Sequence, residues 1–102
     1  MSRPQGKLVR DRIPEIILRS GRMPVTHRLG EREYLAELCA KLSEEVEEFL
    51  ESRAAEELAD IREVVDALSD LLFSRERVAR LQEQKRARNG AFRERIFLDE
   101  VQ

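Results

Sequence analysis

Between residues 31 and 70 the chain carries fourteen acidic side chains against four basic ones. Acid-x-x-acid spacing recurs through this stretch: Glu44/Glu47, Glu45/Glu48, Glu48/Glu51, Glu57/Asp60, Asp60/Glu63 and Glu63/Asp66. Residues three apart on a helix are neighbours on its surface, so each pair can present two carboxylates together. Two such pairs, brought face to face, form an oxygen cage for a hard divalent cation, with Mg²⁺ the natural occupant and Mn²⁺ a substitute. Spacing alone does not say which pairs meet. The elements that carry them must decide.

A short helix is predicted over 13–20, with Pro14 in its first turn and Gly21 as its stop. A long helix follows over about 31–51, where Tyr34, Leu35, Leu38, Cys39, Leu42, Val46, Phe49 and Leu50 recur at spacings of three and four. Ser52-Arg53 breaks the pattern. A second long helix over about 54–73 carries Leu58, Ile61, Val64, Val65, Leu68, Leu71 and Leu72 as its stripe. Ser74 caps a fourth helix over about 75–88, ended by Asn89-Gly90. Phe92, Ile96, Phe97 and Leu98 are expected to pack back on the others. The expectation is one all-α domain over residues 1–102, an antiparallel helical bundle around a long helix hairpin. A chain this small buries only about 60–65% of its unfolded surface, so completion as a homodimer or higher oligomer is expected.

Helix geometry then sorts the acids, since each residue turns about 100°. With Leu42 as zero, Glu45 lies near about −60°, within the apolar stripe, and Glu48 near about −120°, at its edge. Glu44, Glu47 and Glu51 fall at about 140–200°, toward solvent. With Ile61 as zero, Glu57 lies near about −40° and Asp60 near about −100°, whereas Glu63 and Asp66 point outward. In an antiparallel hairpin, residues at one level have numbers that add to a constant. Glu48 with Glu57, and Glu45 with Asp60, give the same total, so the four meet about 7–11 Å from the turn. Ionised carboxylates crowded into a partly dry place are unfavourable without a cation or protons, although Lys41 or Arg53 could offset some of the charge.

Composition excludes several other classes. The chain is 41% hydrophobic and 39% charged with a net charge of −2, which disfavours disorder driven by lopsided charge. No apolar run is long enough to cross a bilayer, and no leader pattern is evident. One cysteine, Cys39, forms no internal disulfide and is expected as a small core residue in a reducing, cytoplasmic setting. His27 is read as a surface residue; Tyr34 and Phe92 are read as core. The basic stretch over 75–95 lacks interleaved aromatics, so nucleic acid is an unlikely partner.

Glu44-Glu45-Val46-Glu47-Glu48 followed by Glu57-Leu58-Ala59-Asp60 resembles the EExxE…ExxD signature of the all-α nucleoside triphosphate pyrophosphohydrolases, the MazG-like superfamily. KLVRDRIPEII at 7–17, EYLAELCAKLSEEVEEFLE at 33–51 and KRARNGAFRERIFLDEV at 85–101 are similar to a small branch related to phosphoribosyl-ATP pyrophosphohydrolase. Only eight residues separate Glu48 from Glu57, a tighter turn than many members have. The resemblance implies hydrolysis of a nucleoside triphosphate between its α and β phosphates, a house-cleaning of non-standard nucleotides among its uses. It further implies Mg²⁺ ligation by Glu45, Glu48, Glu57 and Asp60, with Glu45 or Glu48 acting on the attacking water. Phosphate binding then falls to the basic ends: Lys7, Arg10, Lys85, Arg88 and Arg93. A non-catalytic nucleotide-binding or regulatory module with the same fold is the alternative expectation.

Overall fold

In the computed structural model, which describes residues 6–102, four helices and no strand occur among the described residues. They are α1 (Ile13–Arg19), α2 (Glu31–Ser52), α3 (Ala55–Leu72) and α4 (Arg75–Asn89). None is long and apolar enough to cross a membrane. The chain divides into two compact units, one ending at Leu68 and the other running Ser69–Gln102.

In the first unit, Pro14 sits in the opening turn of α1. Glu15 there accepts from Arg12 at 3.0 Å and from Arg19 at 2.9 Å, clamping a helix too short to hold itself. Gly21, at φ 90°, takes the left-handed turn that ends it, and its N–H donates to the Leu18 carbonyl at 3.0 Å.

The link between α2 and α3 is only Arg53 and Ala54. Arg53 adopts the left-handed conformation (φ 56°), and its N–H donates to the Phe49 carbonyl at 2.8 Å. Its own Nε donates to the Leu50 carbonyl at 3.0 Å, while Ser52 Oγ accepts from the Ala54 N–H at 3.1 Å. These bonds satisfy groups that a helix end leaves orphaned and let a non-glycine residue make the turn. Glu45 meets Asp60, and Glu48 meets Glu57, so α3 runs antiparallel to α2.

The core of this unit is narrow. Leu38 and Val64 are its buried apolar residues, with Tyr34, Leu42, Phe49, Ile61 and Leu68 half-buried around them. Val46, Leu50, Leu58 and Val65 remain exposed. On the helical wheel these four fall on one border of the hairpin, and the inward acids fall on the other. Cys39 lies on the apolar border and is exposed, which corrects its expected place in the core. The stripe is wider than the single facing helix covers.

In the second unit, Ser74 caps α4 by accepting from the Arg77 N–H at 3.1 Å, and Gly90 closes it at φ 86°. Arg75 pairs with Asp70 at 2.8 Å, and the Arg77 guanidinium lies 5.5 Å from the centroid of Phe73. No residue of α4 is buried. The expectation that Phe92, Ile96, Phe97 and Leu98 pack back is not met: all four are exposed, Phe92 to 96%. The reason is local, because α4 offers only Val78 and Leu81 as large apolar residues and gives the tail no face to land on.

Candidate metal centre and adjoining cavity

The acids turned inward on the two long helices do converge. Glu45, Glu57 and Asp60 each bring a carboxylate oxygen within 4.8 Å of the others, and Glu44, Glu45 and Glu48 form a second such group. Glu45 belongs to both and is the buried member, with only 6% of its surface exposed. Glu57 and Asp60 are half-buried, while Glu44 and Glu48 are exposed. Glu44 is exposed, as its outward position on the wheel implies, yet one of its oxygens still reaches the second group. Glu44 and Glu48 are neighbours one turn apart, and a flexible glutamate side chain can swing its carboxylate well away from the direction of its Cα.

The electrostatics follow from the crowding. Burial pushes the Glu45 carboxyl above its ordinary pKa, helped by the hydrogen bond and charge of Glu48 and by the charge of Asp60; Lys41 opposes the shift. Glu57 is likewise raised, first by desolvation and then by the charges of Glu48 and Asp60, with the Ser52 hydroxyl opposing. Two basic groups offset part of this charge. Lys41 Nζ lies 3.7 Å from Glu45 and 3.8 Å from Glu44, too far for a direct hydrogen bond. Arg10 Nη2 donates to Asp60 Oδ1 at 2.6 Å, and Nη1 lies 3.8 Å from Glu63. Glu45 Oε2 is buried and accepts no hydrogen bond. A buried acceptor left without a partner is unfavourable by about 1–3 kcal/mol, more when charged. An all-carboxylate set around such an atom suits a hard divalent cation, and Glu45 could hold one with Glu57 and Asp60 or with Glu44 and Glu48.

A cavity of about 690 Å³ opens beside this centre. Leu8, Ile13, Ile16, Tyr34, Leu38 and Val64 give it apolar walls. Glu45 and Asp60 are in the lining too, as are Lys7, Arg10 and Lys41. Tyr34, half-buried as its place on the stripe suggested, is therefore also a wall of the cavity.

Of the basic residues expected at phosphate, Lys7 and Arg10 line this cavity. Lys85, Arg88 and Arg93 belong to the second unit, where all three are exposed. His27 is exposed, as expected. The Arg10–Asp60 pair and the contribution of Glu63 had no sequence signal, since Arg10 and Asp60 lie fifty residues apart. Lys41 did have one, its four-residue spacing to Glu45.

No protein-family model matches the chain, and no solved structure matches it. A protein of Mycolicibacterium smegmatis, described as uncharacterized, is 60% identical over 43 residues. That stretch is 42% of this chain and 44% of the relative's own length.

The raised Glu45 pKa has a consequence for stability. The fold favours the protonated carboxyl, so its stabilising effect is complete below the ordinary glutamate pKa and is lost as pH rises through the raised value. Glu45→Gln, uncharged throughout, should melt above the wild type at about pH 8 without metal, by about 4–8 °C for each kcal/mol relieved. The gap should close toward about pH 5. Thermal unfolding with a chelator present checks this, and a gap independent of pH would contradict it.

Proposed function

We propose that the chain is a Mg²⁺-dependent nucleoside triphosphate pyrophosphohydrolase of the MazG-like type. Water attacks the α phosphorus, the α–β bridging bond breaks, and a nucleoside monophosphate and pyrophosphate leave. The observation that carries this reading is the partnerless, buried Oε2 of Glu45, a residue common to two carboxylate groups and lining a cavity that Lys7, Arg10 and Lys41 line as well.

Glu45, Glu48, Glu57 and Asp60 hold the cation, for which Mn²⁺ can substitute. When bound, the metal supplies Lewis-acid polarisation of phosphate oxygens and lowers the pKa of a coordinated water. Glu48, exposed and close to Glu45, is suited to orient the attacking water and take its proton, and Glu45 shares that role. Arg10 and Lys7, in the same lining, bind phosphate oxygens, arginine through its fork and lysine as a point charge. The apolar walls, Tyr34 among them, take the nucleoside and keep water from the ester oxygens. Clearance of non-standard nucleotides in a cytoplasmic setting is the biological use this chemistry fits.

A second copy of the chain is the partner this reading requires. Val46, Leu50, Leu58 and Val65 form an exposed apolar border on the hairpin, opposite the acids. Burying the part of these side chains still exposed stabilises by about 1 kcal/mol each, and so small a core has need of it. Sedimentation should find a dimer or larger assembly, with Leu50→Lys combined with Leu58→Lys dissociating it; a monomeric wild type at about 100 μM would contradict this.

The enzymatic reading is tested by pyrophosphate release from a panel of ribo- and deoxynucleoside triphosphates with Mg²⁺. Glu57→Gln and Asp60→Asn should each lower kcat/KM by about 100-fold or more, roughly 2.7 kcal/mol, while the helical circular dichroism is kept. Full activity in either variant would overturn the metal assignment. A nucleotide that raises the melting temperature with Mg²⁺ but is not cleaved would favour the non-catalytic binding module instead.

A further inference from the structure

We infer that Arg10 makes cation binding and anion binding at this centre depend on each other: its guanidinium opposes the metal when no anion is present and favours it when one is. The inference rests on the metal-centre reading above and assigns a positioning role within it. Arg10 lies in the segment before α1, far in sequence from the hairpin, yet it makes the shortest ion pair at the centre, 2.6 Å to Asp60 Oδ1. Asp60 is also one of the two carboxylates grouped with the buried Glu45. One oxygen of a prospective metal ligand is therefore already bound to a positive charge. A divalent cation entering beside Glu45 Oε2 meets that charge across a single carboxylate, and like charges at that range repel.

Two routes relieve the conflict. Glu63, with Oε1 3.8 Å from Arg10 Nη1, offers the guanidinium an alternative carboxylate one helical turn away. The better route is an anionic oxygen placed between the guanidinium and the cation, which attracts both. Arg10 lines the cavity together with Lys7, and its side chain is 57% exposed, so it reaches such an oxygen without leaving the lining. Its forked donors suit a phosphate group better than a single carboxylate oxygen. The consequence is an order of events. Metal alone binds weakly against Arg10, and metal with a phosphate-bearing ligand binds with its help. By linkage the effect is reciprocal, so the anion tightens the metal as much as the metal tightens the anion.

Opposite signs in one variant separate this from a merely structural role. Titration calorimetry of Arg10→Gln with Mg²⁺ alone should give binding about two- to fivefold tighter than wild type, the range expected from deleting an exposed ion pair. The same variant saturated with Mg²⁺ should bind inorganic pyrophosphate about tenfold more weakly, since a charged hydrogen bond is lost. Arg10→Lys, which keeps the charge, should bind Mg²⁺ like the wild type and recover part of the pyrophosphate affinity. Unchanged or weaker Mg²⁺ binding in Arg10→Gln overturns the inference. So does pyrophosphate binding that stays at the wild-type value. A wild type that binds no Mg²⁺ with or without pyrophosphate instead removes the metal-centre reading, a different failure from either of these.

Discussion

A carboxylate buried among carboxylates is the constraint around which the first unit is arranged. Glu45 sits with 6% of its surface exposed, Glu48 and Asp60 close by and one oxygen without a partner. Nothing in the packing of Leu38 and Val64 compensates that arrangement, since apolar neighbours only deepen the desolvation. The polar groups within reach soften it partly: Lys41 stands too far for a hydrogen bond, and Arg10 serves Asp60 instead. The fold therefore holds its least favourable electrostatics at the border of its narrow core. A chain with so little buried apolar surface has scant reserve for such strain unless the site is used.

That placement depends on the turn. With only Arg53 and Ala54 between the helices, the register of α2 against α3 has almost no freedom. One residue more would rotate α3 by about 100° and move Glu57 and Asp60 off the facing side. Arg53 in the left-handed region and the Ser52 hydroxyl bonded to the Ala54 N–H are what make so short a link feasible. Ser52 acts twice, because its hydroxyl also opposes the upward shift of Glu57. Thus the residues that end α2 set both the geometry and part of the charge balance of the centre.

Much of this was legible from residue order. The helices follow from apolar spacing, and their ends from Ser74, Gly21 and Gly90, whose chemistry stops or starts a helix with no tertiary help. The meeting of Glu45 with Asp60 and of Glu48 with Glu57 follows from rotation and rise alone, because a two-residue turn leaves little else to decide it. Glu44 is exposed as the wheel implies, but the reach of its carboxylate to Glu45 and Glu48 is set by rotamers, which a wheel does not place. Arg10 escaped this logic, since a pair fifty residues apart has no periodicity to betray it. The tail was misjudged for another reason. Apolar residues such as Phe92 and Phe97 pack only where a complementary face exists, and α4 carries none.

The cavity links the strained centre to a ligand, with apolar walls, basic groups and acids meeting in one lining. All of it turns on whether a cation takes the position beside Glu45 Oε2. Anomalous diffraction at the manganese edge, from crystals of the protein grown with Mn²⁺, measures this directly. The account predicts a peak within coordination distance, about 2.0–2.2 Å, of Glu45 Oε2, with Glu48, Glu57 and Asp60 oxygens completing the first contacts. A fully occupied peak elsewhere on the chain, or none at saturating Mn²⁺, would contradict it.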